Sequence, residues 1–263
     1  MSTTAVVQPA SQAAAPAHYP SLANKRVLVT GGGSGIGAGV VAAFAQQGSQ
    51  VYFFDIADDA ARALEQSLAG SPLPPRFIHC DLTDLAALAA AMAQVGTVDV
   101  LINNAANDDR HDVSQVTPAY WDERMNVNLR HLFFCAQAVA PGMKACGGGV
   151  ILNFGSISWH LAQARLPLYM TAKAAIEGMT RGLARDLGAD RIRVNCIVPG
   201  SVITPRQARW HSAEGEAHIL AAQCLHERVL IDDIAAMAMF LASDNAARCT
   251  GRDYYVDAGW YGA

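Results

Sequence analysis

Short runs rich in β-branched and other apolar residues alternate along this chain with longer alanine-rich stretches whose apolar positions recur at helical spacing. Residues 26–30 (RVLVT) predict a first strand and 35–47 a helix. A second strand is expected over 50–55, a helix over 58–69 and a third strand over 76–80. Residues 84–95 have a helical pattern, and 98–102 read as a fourth strand. A long helical tract over 118–144 breaks near Asn128. A fifth strand (150–154), a helix (167–187) and a sixth strand (192–198) follow. An irregular stretch over about 199–228 reads as a lid, before a helix over 232–242 and a last strand over 253–256. Strands separated by helices make βαβ units, and right-handed crossovers turn these into a parallel sheet covered on both faces. The expectation is therefore an α/β protein with a doubly wound, Rossmann-type, seven-stranded sheet. Residues 21–263 would form one domain behind a disordered tail of residues 1–20, which is rich in Ala, Ser, Thr, Gln and Pro.

Composition narrows the function. Hydrophobic residues make up 52% of the 263 and charged residues only 16%, enough apolar material to leave helix faces for burial between subunits. A homotetramer or homodimer is expected. The formal net charge of -4 argues against nucleic acid or an anionic membrane as partner. No run of about 18 apolar residues is available to cross a bilayer. The six cysteines are scattered, without a C-x-x-C pair or clustered histidines, which suits reduced thiols in the cytoplasm and gives no support to a metal site.

The first chemistry sits directly after the first strand, in Thr30-Gly31-Gly32-Gly33-Ser34-Gly35-Ile36-Gly37, which opens a helix. Glycines let the backbone turn sharply and approach a pyrophosphate, while the helix N-terminus supplies unpaired N–H groups. A glycine-rich turn alone also serves as a plain tight turn; its position between strand and helix favours the dinucleotide. Asp55 ends the second strand, where a carboxylate can accept from both adenosine ribose hydroxyls and repels a 2′-phosphate. Neither Ser34 nor Ile56 offers a cation for such a phosphate, so NAD is expected over NADP. Asp55 also suits a helix cap before Ala57. Asp81, at the end of the third strand, suits either the adenine amino group or a turn.

Tyr169 and Lys173 lie four apart on one helix and share a face. A tyrosine with an ordinary pKa near 10 is too weakly acidic to serve as a base at neutral pH, and a nearby ammonium favours its phenolate. Ser156, just past the fifth strand, lies at the carboxyl edge of the sheet, where ligands of such folds bind. Here the chain resembles the short-chain dehydrogenase/reductase family over residues 22–260. The matching motifs are Thr30 to Gly37, Asp81-Leu82, Asn103-Asn104-Ala105, Asn128-Leu129, Ser156, Tyr169-x-x-x-Lys173, Pro199-Gly200 and Thr204. Ala106 departs from the usual glycine.

The resemblance implies roles. Tyr169 would take the hydroxyl proton, Ser156 would orient the reacting oxygen, and Lys173 would lower the Tyr169 pKa and bind the nicotinamide ribose. Asn128 would hold a water in a relay to Lys173. Cofactor contacts would come from Gly31, Ser34, Gly35, Ile36 and Gly37 at the phosphates. Asp55, Ile56, Asp81, Leu82, Asn104 and Ala105 would line the adenosine side. Pro199, Gly200, Val202 and Thr204 would surround the carboxamide.

Flanking residues bear on the substrate. Residues 107–111 (NDDRH) follow the fourth strand, and Trp159-His160 follow Ser156. A steroid or acyl chain wants aliphatic walls, whereas a sugar wants several hydrogen-bonding groups and an aromatic platform. Asn107 and Trp159 are the expected sugar contacts; the other reading makes 108–111 a solvated loop and Trp159 core. Residues 107–111, 119–134, 154–161 and 257–260 resemble the bacterial NAD-dependent aldopentose dehydrogenases of the family. That resemblance implies oxidation of a cyclic sugar's anomeric C1 hydroxyl to the lactone. A 3-oxoacyl-thioester reductase would want NADPH and a basic patch. A catalytically silent cofactor sensor on the same fold would be free to lose Ser156, Tyr169 or Lys173, and all three are present.

Overall fold

In the computed structural model, residues 17–207 and 212–262 are described. The first βαβ units run β1 (Arg26–Thr30), α1 (Gly35–Gln46), β2 (Gln50–Asp55), α2 (Asp58–Ser67), β3 (Arg76–His79), α3 (Leu85–Val95) and β4 (Val100–Asn103). The long tract is α4 (Pro118–Met125), a π-helical turn (Asn126–Arg130) and α5 (His131–Ala145). The chain ends through β5 (Gly149–Phe154), α6 (Pro167–Leu187), β6 (Ile192–Pro199), α7 (Ala213–Ala222), α8 (Ile231–Ala242) and β7 (Asp253–Val256). All seven strands pair in parallel in the order β3-β2-β1-β4-β5-β6-β7. The sheet order changes direction between β1 and β4, which opens a crevice beyond their carboxyl ends.

Side chains alternate across each strand, so one run supplies both layers. Val27, Val29, Phe53 and Ile102 pack towards α1 and α8, whereas Leu28, Phe54, Leu101 and Ile151 pack towards α3 and α5. Burial on both faces explains why the strands read as nearly continuous apolar runs. A smaller cluster of Leu132, Ile157, Ile176, Cys196 and Val198 lies at the carboxyl end of β5 and β6.

The boundaries differ where a side chain competes with the ladder or helix. Asp84 caps α3, its Oδ1 accepting from the N–H of Ala86 and Ala87 at 2.8 and 3.1 Å, so the helix begins at Leu85. β4 begins at Val100 because the preceding Asp99 turns its carboxylate to the Arg26 N–H at 2.8 Å. The stretch expected to be irregular contains α7, capped by Ser212. Of the expected tail, residues 1–16 lie outside the described residues. Ala17 and Tyr19 are held by Gln47, whose Oε1 accepts from the Tyr19 N–H (2.8 Å) and whose Nε2 donates to Ala17 O (2.9 Å). No helix among the described residues is long and apolar enough to cross a membrane.

Candidate active site

The cleft beyond the strand ends has a volume of about 460 Å³. Its floor is the glycine turn, which needs its glycines. Gly31 has φ +65°, and a Cβ there would fall 2.7 Å from Ala105 Cα. A Cβ on Gly37 would fall 2.0 Å from Gly31 O. Asn104 staples this turn to the end of β4, Nδ2 donating to Thr30 O (3.1 Å) and Gly31 O (2.9 Å). Buried Thr30 Oγ1 accepts in return from the N–H groups of Asn104 and Ala105.

Asp55 is held by the main chain: Oδ2 accepts from the Gly33 N–H at 2.8 Å, and Oδ1 from those of Ile56 and Ala57. Three of its roughly four lone-pair sites are thereby used, and the carboxylate stays at the cleft wall. Asp81 accepts from both the N–H and the hydroxyl of Thr83, which holds its carboxyl below the usual range, and it too lines the cleft. Both acids thus order a local turn, and both line the cleft. Ser34, Gly35, Ile36, Ile56, Leu82, Pro199, Gly200 and Val202 line the same cleft, as does Thr204, which faces Gly35 across it.

The reacting end lies between β5 and α6. Ser156 stands beside the Tyr169 phenol and favours its ionisation, and its Oγ accepts from the Ser158 N–H at 3.1 Å. Lys173 is 3% exposed, donates from Nζ to Phe154 O at 2.7 Å, and lies 5.4 Å from the centre of the Tyr169 ring. Burial pushes the Lys173 pKa down to about 8. Burial and the nearby Asp108 carboxylate push the Tyr169 phenol up, while the Ser156 hydrogen bond and Arg206 pull it back. The resemblance implies that Lys173 lowers this pKa; burial dominates instead.

Fully buried Asn128, in the π-helical turn, pairs with the Asn107 backbone twice: Oδ1 accepts its N–H at 2.8 Å and Nδ2 donates to its carbonyl at 3.0 Å. Asn107 lines the cleft with its Oδ1 taken by the Asp109 N–H and Arg206 Nη2. Trp159, the expected sugar platform, is not among the lining residues. Its Nε1 donates to Glu177 Oε1 at 2.8 Å and its ring stacks on His160 at 3.6 Å. No sequence pattern points to Arg206, which reaches the cleft from beyond β6. Its partners lie nearly a hundred positions earlier, beyond any local pattern.

The family model described as enoyl-(acyl carrier protein) reductase matches residues 31–261. A D-xylose 1-dehydrogenase of Caulobacter vibrioides is 63% identical over 242 residues, covering 92% of this chain and 98% of that protein. The chain belongs to the short-chain dehydrogenase/reductase family. A probable galactose dehydrogenase of Rhizobium meliloti is 48% identical, over 92% of this chain and 96% of its own. Among solved structures, a 7α-hydroxysteroid dehydrogenase complexed with NADH and 7-oxo glycochenodeoxycholic acid superposes with a TM-score of 0.87. It is 30% identical, over 93% of this chain and 98% of that one. As a short-chain dehydrogenase/reductase the protein is an oxidoreductase acting on a CH–OH donor with a nicotinamide dinucleotide. The side-chain-free cradle at Gly31 and Gly37 fits a pyrophosphate, and the Asp55 carboxylate at its rim fits a ribose diol.

Proposed function

We propose that the protein oxidises the anomeric C1 hydroxyl of an aldopentose, D-xylose foremost, to the aldonolactone with NAD. The observation that carries this reading is the 63% identity to a D-xylose 1-dehydrogenase over 98% of that protein. The polar rim of Asn107, Asp108 and Arg206 agrees with a polyol and opposes a steroid or acyl chain, which would take those groups out of water with no new hydrogen bond in return. Asp55, with apolar Ile56 beside it, favours NAD, because a 2′-phosphate there would meet an anion and no adjacent cation. The same carboxylate opposes an NADPH-dependent thioester reductase.

Bound NAD supplies the hydride acceptor. Tyr169 Oη takes the C1 hydroxyl proton, and Ser156 Oγ, which favours ionisation of the phenol, donates to the reacting oxygen. With its pKa at about 8, Lys173 is mostly ammonium at neutral pH and opposes the burial that disfavours the phenolate. Asn128 fixes the loop carrying Asn107, and in this reading also holds the water that links Lys173 to solvent. The protein is proposed to be a homotetramer or homodimer. A cytoplasmic location is proposed on its six free cysteines, two of them exposed.

The test is NADH formation at 340 nm with D-xylose, L-arabinose, D-galactose and 2-propanol, each with NAD and NADP. D-xylose with NAD should give the highest kcat/KM. Preference for 2-propanol, or NADP used as well as NAD, would overturn the reading.

A further inference from the structure

An ion pair that the proton transfer does not need lines the cleft. Arg206 Nη2 reaches three oxygens of the single loop after β4: Asp108 Oδ1 at 2.9 Å, Asp109 Oδ1 at 2.8 Å and Asn107 Oδ1 at 3.0 Å. Asp109 lies at the outer edge, where Arg124 Nη1 of α4 lies 3.5 Å from its Oδ2. Asp108 and Arg206 instead both line the cleft, and both are close enough to Tyr169 to act on its ionisation.

Their side chains are 43% and 48% exposed, so water already screens the pair. Solvent-screened pairs of this kind are weak, so opening this one costs little. Once open, it presents a carboxylate that only accepts hydrogen bonds and a guanidinium that only donates them. Hydroxyls do both, so a polyol can satisfy the two groups together, whereas a hydrocarbon leaves both desolvated and unpaired.

We infer that Asp108 and Arg206 form a specificity clamp for the substrate hydroxyls remote from the reacting carbon, Asp108 accepting from them and Arg206 donating to them. The inference rests on the aldose reading above and deepens it. The ion pair bridges the segment after β6 to the loop after β4, and hydroxyl groups replace that bridge when substrate enters.

Selectivity between two lactols isolates the clamp. D-xylose and tetrahydropyran-2-ol share the ring oxygen and anomeric hydroxyl, but the second lacks every other hydroxyl. Electrostatic effects of Asp108 or Arg206 on Tyr169 act on both and cancel in the ratio of kcat/KM. In wild-type enzyme with saturating NAD, D-xylose should be favoured by about 100-fold or more. Asp108→Asn, Arg206→Gln and the double variant should each reduce that ratio by about tenfold or more, with Arg206→Lys between them and wild type. Both positions are half-exposed, so these variants should fold, and NADH fluorescence titration reports their integrity. Equal losses on the two lactols, or an unchanged ratio, would overturn the clamp while leaving aldose oxidation intact. A wild-type enzyme that oxidises no aldose would overturn the aldose reading and the clamp with it.

Discussion

At neutral pH in the ligand-free protein, Tyr169 is a phenol held away from ionisation by burial and by Asp108. Its usefulness as a base therefore depends on groups that oppose burial, here Ser156 and Arg206. Tyr169→Phe keeps the ring and should lower kcat by about 10²–10⁴-fold or more, with NADH affinity by fluorescence nearly unchanged. Retained turnover would rule out the assigned proton path. His131 makes a different prediction. It is fully buried, its Nε2 lies 3.3 Å from Ala105 O and 3.1 Å from Val127 O, and its Nδ1 has no partner. Burial pushes its pKa from 6.5 down to about 4. Above 6.5 neither state is protonated at this site, and below 4 both are. In between the unfolded chain binds a proton that the native protein does not, so stability falls as pH drops from 6.5 towards 4, by about 3 kcal/mol at the limit. His131→Gln keeps an N–H donor without titrating. Melting temperatures at pH 7 and 4.5 should show a smaller acid loss in this variant than in wild type. At the adenosine end, Asp55→Ala combined with Ile56→Arg should move the kcat/KM preference from NAD towards NADP. No shift would mean that Asp55 serves only to order the turn at Gly33, Ile56 and Ala57.

Among the elements, α6 joins the two halves of the chemistry. It carries Tyr169 and Lys173, and one turn further on Glu177, whose Oε1 accepts from Trp159 Nε1 and lies 3.1 Å from His160 Nε2. Both members of the Glu177–His160 contact have side chains only 5% exposed. Through them the loop bearing Ser156 is pinned to the helix bearing Tyr169. Glu177→Leu leaves Trp159 Nε1 without an acceptor and His160 Nε2 with only Tyr255 Oη (3.0 Å), and should cost about 2 kcal/mol in urea unfolding, with Glu177→Gln losing much less. Comparable losses in the two variants would mean that side-chain shape, rather than the acceptor, holds the loop. Strands and phosphate turn were legible because burial on both faces and glycine spacing are local properties of the chain. α7 was not, because only Ile219 of its ten residues is buried and no apolar stripe marks it. Trp159 was misplaced for the same physical reason that Arg206 was missed. The partners that decide their positions, Glu177 and the loop at 107–109, are remote in sequence.

For the whole molecule, the aromatic side chains of Trp121 and Phe133 on the α4–α5 tract, and of Tyr255 and Tyr261 at the β7 edge, remain 37–44% exposed. Association would cover surfaces of this kind, and light scattering at micromolar protein should give two or four times 27.8 kDa. A single species of 27.8 kDa would refute it. One feature of the cleft reaches back to synthesis itself. Gly35 and Thr204 face each other across it, yet roughly 170 residues separate them, so at about 5–20 residues per second the ribosome makes the second on the order of ten seconds or more after the first. The glycine turn, Asp55 and the rest of the adenosine wall thus exist for that interval with no opposite bank. A dinucleotide that needs both banks finds no binding site on the nascent chain. Its stabilising effect, which grows with concentration over Kd, falls only on chains extended past Thr204. A cellular nicotinamide dinucleotide would then rescue marginal variants late in synthesis and after it, but give no help before Thr204 is made.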